Sequence, residues 1–338
     1  MKTGDVDPAP DGPPPVAVNP GRPTAPTGLT GRMPQIPIDG RVLQPPREPR
    51  SVDVAPPRVW DERLSAVLPA SARLLSLYDD ATWAEGPVWW PAENALVFSD
   101  VIGRRTLARY DDGRIVTVRD RSDFANGNAM DAAGRLVQAE HGRRGVSRTD
   151  EDGTRLLVDA FEGKPLNSPN DLVVASDGAI WFTDPTYGIS DPREGYPAEP
   201  ALSHQSVYRW HDDTGLARMI DLDQPNGLAF SRDERTLYVA ESNATALPRV
   251  VACSWDGETL GTPRTFATVD AGIPDGFVVD SRDWLWISSQ AGVVIVDEHG
   301  QRLGVIPTPH VVSNCTFDAD EKRLFITGDS DLWMVELA

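Results

Sequence analysis

Cysteine is nearly absent. Cys253 and Cys315 are the only two in 338 residues, they lie far apart, and neither belongs to a CxxC pair. A disulfide scaffold is excluded, and a reducing compartment is favoured. No run approaches the roughly 20 apolar residues of a membrane-spanning helix, so no membrane partner is expected. The N-terminus has no apolar signal core, so export by that route is not indicated and a cytoplasmic location is expected. Positive charge is scarce: 32 Lys and Arg stand against 51 Asp and Glu, a formal net charge of −19. A surface that acidic repels phosphate backbones and argues against a nucleic-acid partner. No GxSxG elbow, HExxH, P-loop or dinucleotide fingerprint occurs. The regular alternation of strands with amphipathic helices that a βαβ fold needs is missing too.

What is present begins with proline and glycine. Residues 1–57, with "PAPDGPPPVAVNPGRPTAPTG", have no periodicity and too little apolar content to offset the entropy of ordering. They are expected to form a disordered tail ahead of a domain spanning 58–338. "WDERLSAVLP" reads as a short helical turn leading in. From Ala72 the texture changes to short apolar or alternating runs separated by Asp-Gly and Asn-Gly, which is a strand-and-turn pattern.

Six segments superpose: "EGPVWWPAENALVFSD" from Glu85, "NGNAMDAAGRLVQAEH" from Asn126, "NDLVVASDGAIWFTDP" from Asn170, "NGLAFSRDERTLYVAE" from Asn226, "DGFVVDSRDWLWISSQ" from Asp275 and "NCTFDADEKRLFITGD" from Asn314. Each has a polar opener, an apolar strand, a turn and a second apolar strand. Their spacings of 41, 44, 56, 49 and 39 residues match the ~40–50 residues of a four-stranded propeller blade. The longest interval holds an insertion, "YGISDPREGYPAEPALSHQ". "LWMVEL" supplies the third strand of the last repeat, and "ARLLSLY" from the start of the domain supplies the fourth and closes the ring. The expected fold is an all-β, six-bladed propeller. Trp89, Trp181 and Trp286 are expected to pack blade against blade.

The openers Glu85, Asn126, Asn170, Asn226, Asp275 and Asn314 share one register, so in a propeller they converge on the axis at one end. Asn-Gly and Asp-Gly are also ordinary turn dipeptides, which would account for Asn126, Asn226 and Asp275 one at a time. A turn does not ask for Glu85, nor for oxygen donors all the way round. A ring of carboxylates and amides without Cys or His suits a hard divalent cation, calcium first, whereas zinc prefers imidazole or thiolate. Such an ion polarises a carbonyl or phosphoryl oxygen, and a neighbouring carboxylate serves as general base or nucleophile.

"EGPVWW", "LNSPNDLVV", "IWFTDPTYGI", "QPNGLAFS" and "IPDGFVVD" resemble the SMP-30/gluconolactonase (regucalcin-like) family over about residues 72–338. The resemblance implies a six-bladed propeller with one divalent metal, commonly calcium, and hydrolysis of sugar lactones or related esters. Magnesium, manganese or zinc are the other ions in view. Carried over by position, Glu85, Asn170, Asn226 and Asp275 match the family's metal ligands, with Asp275 also as general base or nucleophile. Asn126, His141, Asn170 and Tyr187 are the expected substrate contacts. Asp171 is expected to support Asn170, and Asn314 to be a pocket wall or a turn residue. The partner is then a small lactone or ester. Phosphotriester hydrolysis on the same metal, a non-catalytic calcium-binding propeller and a biosynthetic enzyme that kept the ring are the alternatives.

Overall fold

Six antiparallel sheets follow one another around an axis in the computed structural model, which describes residue 36, residues 38–243 and residues 247–338. The innermost strands, blade by blade, are Ala84–Trp90, Ala125–Met130, Leu172–Val174, Pro225–Phe230, Phe277–Val279 and Asn314–Phe317. Each contacts the next, and the last returns to the first. The fold is the expected six-bladed propeller. In the sixth blade, Leu74–Tyr78 pairs with Asp331–Glu336 and supplies the outer strand, so the ring closes as the repeat count predicts.

The turn residues of the repeats have a local cause. Asp280 accepts N–H bonds from Arg282 (2.8 Å) and Trp284 (2.9 Å), and Trp286 Nε1 donates to its other oxygen (3.2 Å). Asp131 and Asp318 accept backbone N–H groups in the same way. One carboxylate thus ties off the hairpin between first and second strands in these blades, and Asp177 and Asp233 do the same in the third and fourth; the first blade turns on backbone bonds to Trp90 O and Pro91 O. The tryptophans pack between blades. Trp181 meets Phe230 edge-on at 5.3 Å, Trp286 meets Phe317 at 5.4 Å, and Trp89 stacks on Phe325 at 5.8 Å.

"WDERLSAVLP" contains the helical turn Glu62–Ser65, capped by Asp61, whose carboxylate accepts the Arg63 N–H at 2.9 Å. Residues 38–57, read as part of the tail, run along the outside of the blades. Val42–Gln44 extends the first blade and Arg50–Ser51 extends the sixth, followed by Arg58–Val59 on the fifth. Gln44 Nε2 donates to Leu77 O (3.1 Å) and Gly113 O (2.8 Å), joining the sixth blade to the first. These additions are two or three residues long and satisfy open sheet edges. They carry no alternation of their own, so sequence periodicity does not reveal them. The disorder expected for residues 1–35 and 37 lies outside the described residues.

Candidate active site

The six openers stand at the entrances of the innermost strands, and the residue after each decides how closely the blades approach. A Cβ at Gly86 would lie 2.2 Å from Asn126 O, at Gly127 2.8 Å from Asn170 O, at Gly227 2.5 Å from Asp275 O and at Gly276 2.0 Å from the Asn314 side chain. Asn-Gly and Asp-Gly are therefore close-approach pairs here rather than turns. Two backbone bonds run along the same circle, Gly127 N to Asn170 O (2.8 Å) and Gly276 N to Ser313 O (2.7 Å). Ser313 Oγ donates to Ala84 O at 2.7 Å and closes it. Glu85, Asn126, Asn170, Asn226 and Asn314 are each between 4% and 7% exposed, while Asp275 is partly open to solvent.

The third blade breaks the small-residue pattern. Asp171 stands where the other blades have glycine or Cys315. Its carboxylate accepts the Leu172 N–H (2.9 Å) and the Asn314 amide (3.3 Å). Blades three and six face each other, so Asp171 crosses the axis just beneath the ring. Asn170 and Asp171 continue the strand ladder, through Asn170 N to Thr183 O (2.9 Å) and Thr183 N to Asp171 O (3.0 Å). The approach to them is anchored as well. Arg144 Nε donates to Leu166 O (2.6 Å), Asn167 N to Asp184 (2.9 Å), and Ser168 Oγ to Pro185 O (2.7 Å).

His141 is fully buried. Its Nδ1 lies 3.1 Å from Glu194 O, a pure acceptor, so Nδ1 carries the proton. Nε2, 3.3 Å from Asn170 Nδ2, is then the acceptor. Burial pushes the imidazole down to about 4, which keeps it neutral. With its NH2 committed to His141, Asn170 has its amide oxygen left for a ligand. Both His141 nitrogens are engaged by protein groups. Tyr187 opens the helical turn Tyr187–Ser190, with its phenol beside Asn226, Ser242 and Asp275. Asn314 spends its amide on Asp171 and on Cys315 N (2.8 Å).

Sequence reasoning missed Glu194. It sits in the insertion, where no repeat register marks it, yet its charge reaches both Glu85 and Asp275. Four carboxylates now share one region. Burial raises Glu85 well above the usual carboxylate range, and Asp275 and Asp171 add to the effect. Asp275 is raised by burial, then by Asp171 and Glu194, against the Asn226 amide and the Gly276 N–H. Burial lifts Asp171 to about 6 and also raises Glu194. None of the salt bridges among the described residues reaches Glu85, Asp171 or Asp275. Buried carboxylates without a counter-charge are costly and call for a proton or a cation. No three His, Cys, Asp or Glu side chains among the described residues come close enough to share an ion, so a cation here needs the amides. Two carboxylates, Glu85 and Asp275, with the oxygens of Asn170 and Asn226 make a hard donor set that fits a divalent ion of the calcium type. A separate hollow of about 570 Å³ lies under the insertion, walled by Asn167, His204, Asp221, Asp223 and Glu241. Asp221 is engaged by Ser206 and Glu241 by Arg249, and the third acid, Asp223, is exposed to solvent, so the hollow holds no buried carboxylate without a counter-charge.

The architecture defines a class: a six-bladed propeller with an oxygen-lined site on its axis. The family model described as the SMP-30/gluconolactonase/LRE-like region matches residues 83–330, and the chain belongs to that family. A gluconolactonase from Zymomonas mobilis is 32% identical over 301 residues, which cover 81% of this chain and 83% of the relative. Regucalcin from Xenopus laevis is 27% identical over 259 residues, covering 73% and 83%. A solved structure of a gluconolactonase from Xanthomonas campestris is 52% identical with a TM-score of 0.86, covering 88% of this chain and 100% of that one.

Proposed function

We propose that the chain hydrolyses sugar lactones at Glu85, Asn170, Asn226 and Asp275, with calcium as the preferred ion. The observation that carries this reading is the cluster of buried, unpaired carboxylates and amide oxygens on the axis, in a chain whose relatives are gluconolactonases. A divalent cation bound there would supply Lewis-acid polarisation of the lactone carbonyl.

The remaining work falls to the chain's own side chains. Asp275 takes the proton of the attacking water as general base and returns it to the leaving ring oxygen. The Asn226 amide beside it favours the carboxylate form that accepts this proton. His141 fixes the orientation of Asn170 and so acts at one remove from the substrate. Asn126 and Tyr187 border the space where the sugar sits. Asp171 and Asn314 close the axis below it.

The test is proton release from γ- and δ-sugar lactones by purified protein, after EDTA and after add-back of calcium, magnesium, manganese or zinc. Turnover is expected to vanish with EDTA and return best with calcium. Asp275→Asn is expected to lower kcat by roughly 10²–10⁴-fold. Turnover that ignores chelation, or a bound ion with no turnover of any lactone, would overturn the reading.

A further inference from the structure

Tyr187 carries an unexplained polar atom. Its Oη is buried and has no hydrogen-bond partner among the described residues. Leaving a buried donor unpaired costs about 1–3 kcal/mol, and such an atom in a native fold calls for a reason. Ser242, which gives its own proton to Pro274 O, and the Asn226 amide lie beside the phenol, yet neither closes a hydrogen bond of ordinary geometry with it. A tyrosine phenol is a neutral donor near pH 7.

The phenol is also held in place from behind. Gly188 N donates to Ser168 Oγ (3.1 Å). Gln224 grips Thr186 twice, accepting its N–H (3.1 Å) and donating to its hydroxyl (2.9 Å). A Cβ at Gly188 would lie 2.4 Å from His141 Cβ, so only glycine lets this turn seat so deeply. A donor carried on a turn that is fixed on both sides of it, and left without a hydrogen bond of ordinary geometry in the protein, is placed for a ligand atom.

We infer that Tyr187 donates its hydrogen bond to the ring oxygen of the bound lactone, the atom that leaves as an alkoxide. This rests on the lactonase reading above. Asp275 must return a proton to that oxygen, so the oxygen has to come to Asp275, and the phenol stands beside Asp275. The chemistry balances without a further reactant. The water oxygen bonds to the carbonyl carbon and its proton goes to Asp275. The bond from carbon to ring oxygen then breaks, with its electron pair on the ring oxygen, and Asp275 delivers the proton there. Tyr187 keeps its own proton and stabilises the charge that builds on the leaving oxygen.

The experiment compares wild type and Tyr187→Phe, both full-length and calcium-loaded, on δ-gluconolactone. Calcium titration by calorimetry and thermal unfolding run in parallel. A loss of kcat of roughly 100-fold is expected, with KM within about threefold and calcium affinity and Tm unchanged. An unchanged kcat overturns the inference. So does a rise in KM alone, which would mark a contact to a sugar hydroxyl. Weakened calcium binding or a lowered Tm also overturns it, because the phenol would then be packing for Asp275. If wild type opens no lactone, the functional reading falls first and this inference with it, a result visible before the variant is made.

Discussion

Asp184→Asn should make the protein more stable at pH 8 and leave it nearly unchanged at pH 4. Asp184 is fully buried and accepts the Asn167 N–H at 2.9 Å, so it anchors the segment that delivers Asn170 and Asp171. Burial is the main cause that lifts its carboxyl to about 7, against the N–H bonds of Asn167 and Ser168 and the Arg144 charge. One of its oxygens has no partner among the described residues. In the unfolded chain the same group titrates near 3.9. The folded state therefore keeps a proton between about pH 4 and 7 that the unfolded state has released. Stability falls as pH rises through that window and levels off above it. The gap corresponds to about 4 kcal/mol at full ionisation of both states. An asparagine keeps an oxygen for the Asn167 N–H and never ionises. Urea midpoints of wild type and variant, both with saturating calcium, give the difference at each pH. That difference should grow in the variant's favour from pH 4 to 7 and then hold constant. A difference that is flat with pH would show that Asp184 titrates alike in both states, and the burial argument would be wrong.

Two further outcomes are expected. His141→Ala frees the Asn170 amide to rotate, and calcium affinity measured by calorimetry should fall about 10- to 100-fold, the usual cost of losing an orienting partner; unchanged affinity would remove His141 from the site's construction. Deleting residues 1–57 removes the Gln44 bridge and two edge strands, and the urea midpoint should drop by the equivalent of at least about 2 kcal/mol, taking about 1 kcal/mol for each Gln44 bond. A midpoint equal to wild type would mean that the segment is only a spacer.

The repeat was legible because each blade solves the same packing problem with the same local devices. An apolar strand, an Asp-tied turn and a second strand recur in register, and the register alone aligned Glu85 with Asp275 across 190 residues. Groups that act once were not legible. Glu194 belongs to an insertion with no counterpart in the other blades. The link from Glu194 O through His141 to Asn170 joins three segments that no spacing rule connects. The strands at 42–44 and 50–51 owe their conformation to the edges they meet, not to their own residues. The glycines after the openers were visible, but their cause was not: turn and close approach ask for the same residue, and only the neighbouring strand distinguishes them.

Asp171 turns that last distinction into a functional one. At the equivalent position Gly86, Gly127, Gly227 and Gly276 leave room for the next blade, and Cys315 is small. Cys315 turns its thiol back to Trp286 O of the fifth blade, whereas in the third blade the side chain is a carboxylate that reaches Asn314 on the opposite blade. Beyond Asp171 lies a cavity of about 190 Å³ bordered mostly by apolar side chains such as Val88, Val173 and Val278, with Asn128, Asn314 and Thr316 as its polar groups besides Asp171 itself. On the near side stand Glu85, Asn170, Asn226 and Asp275. The Asp171 carboxylate links the third and sixth blades across the axis, and its charge raises both Glu85 and Asp275 in the ring above it. On the proposed reading the lactone enters from the side that carries the insertion, and substrate selection is assigned to Tyr187 and Glu194 there rather than to the repeated blades.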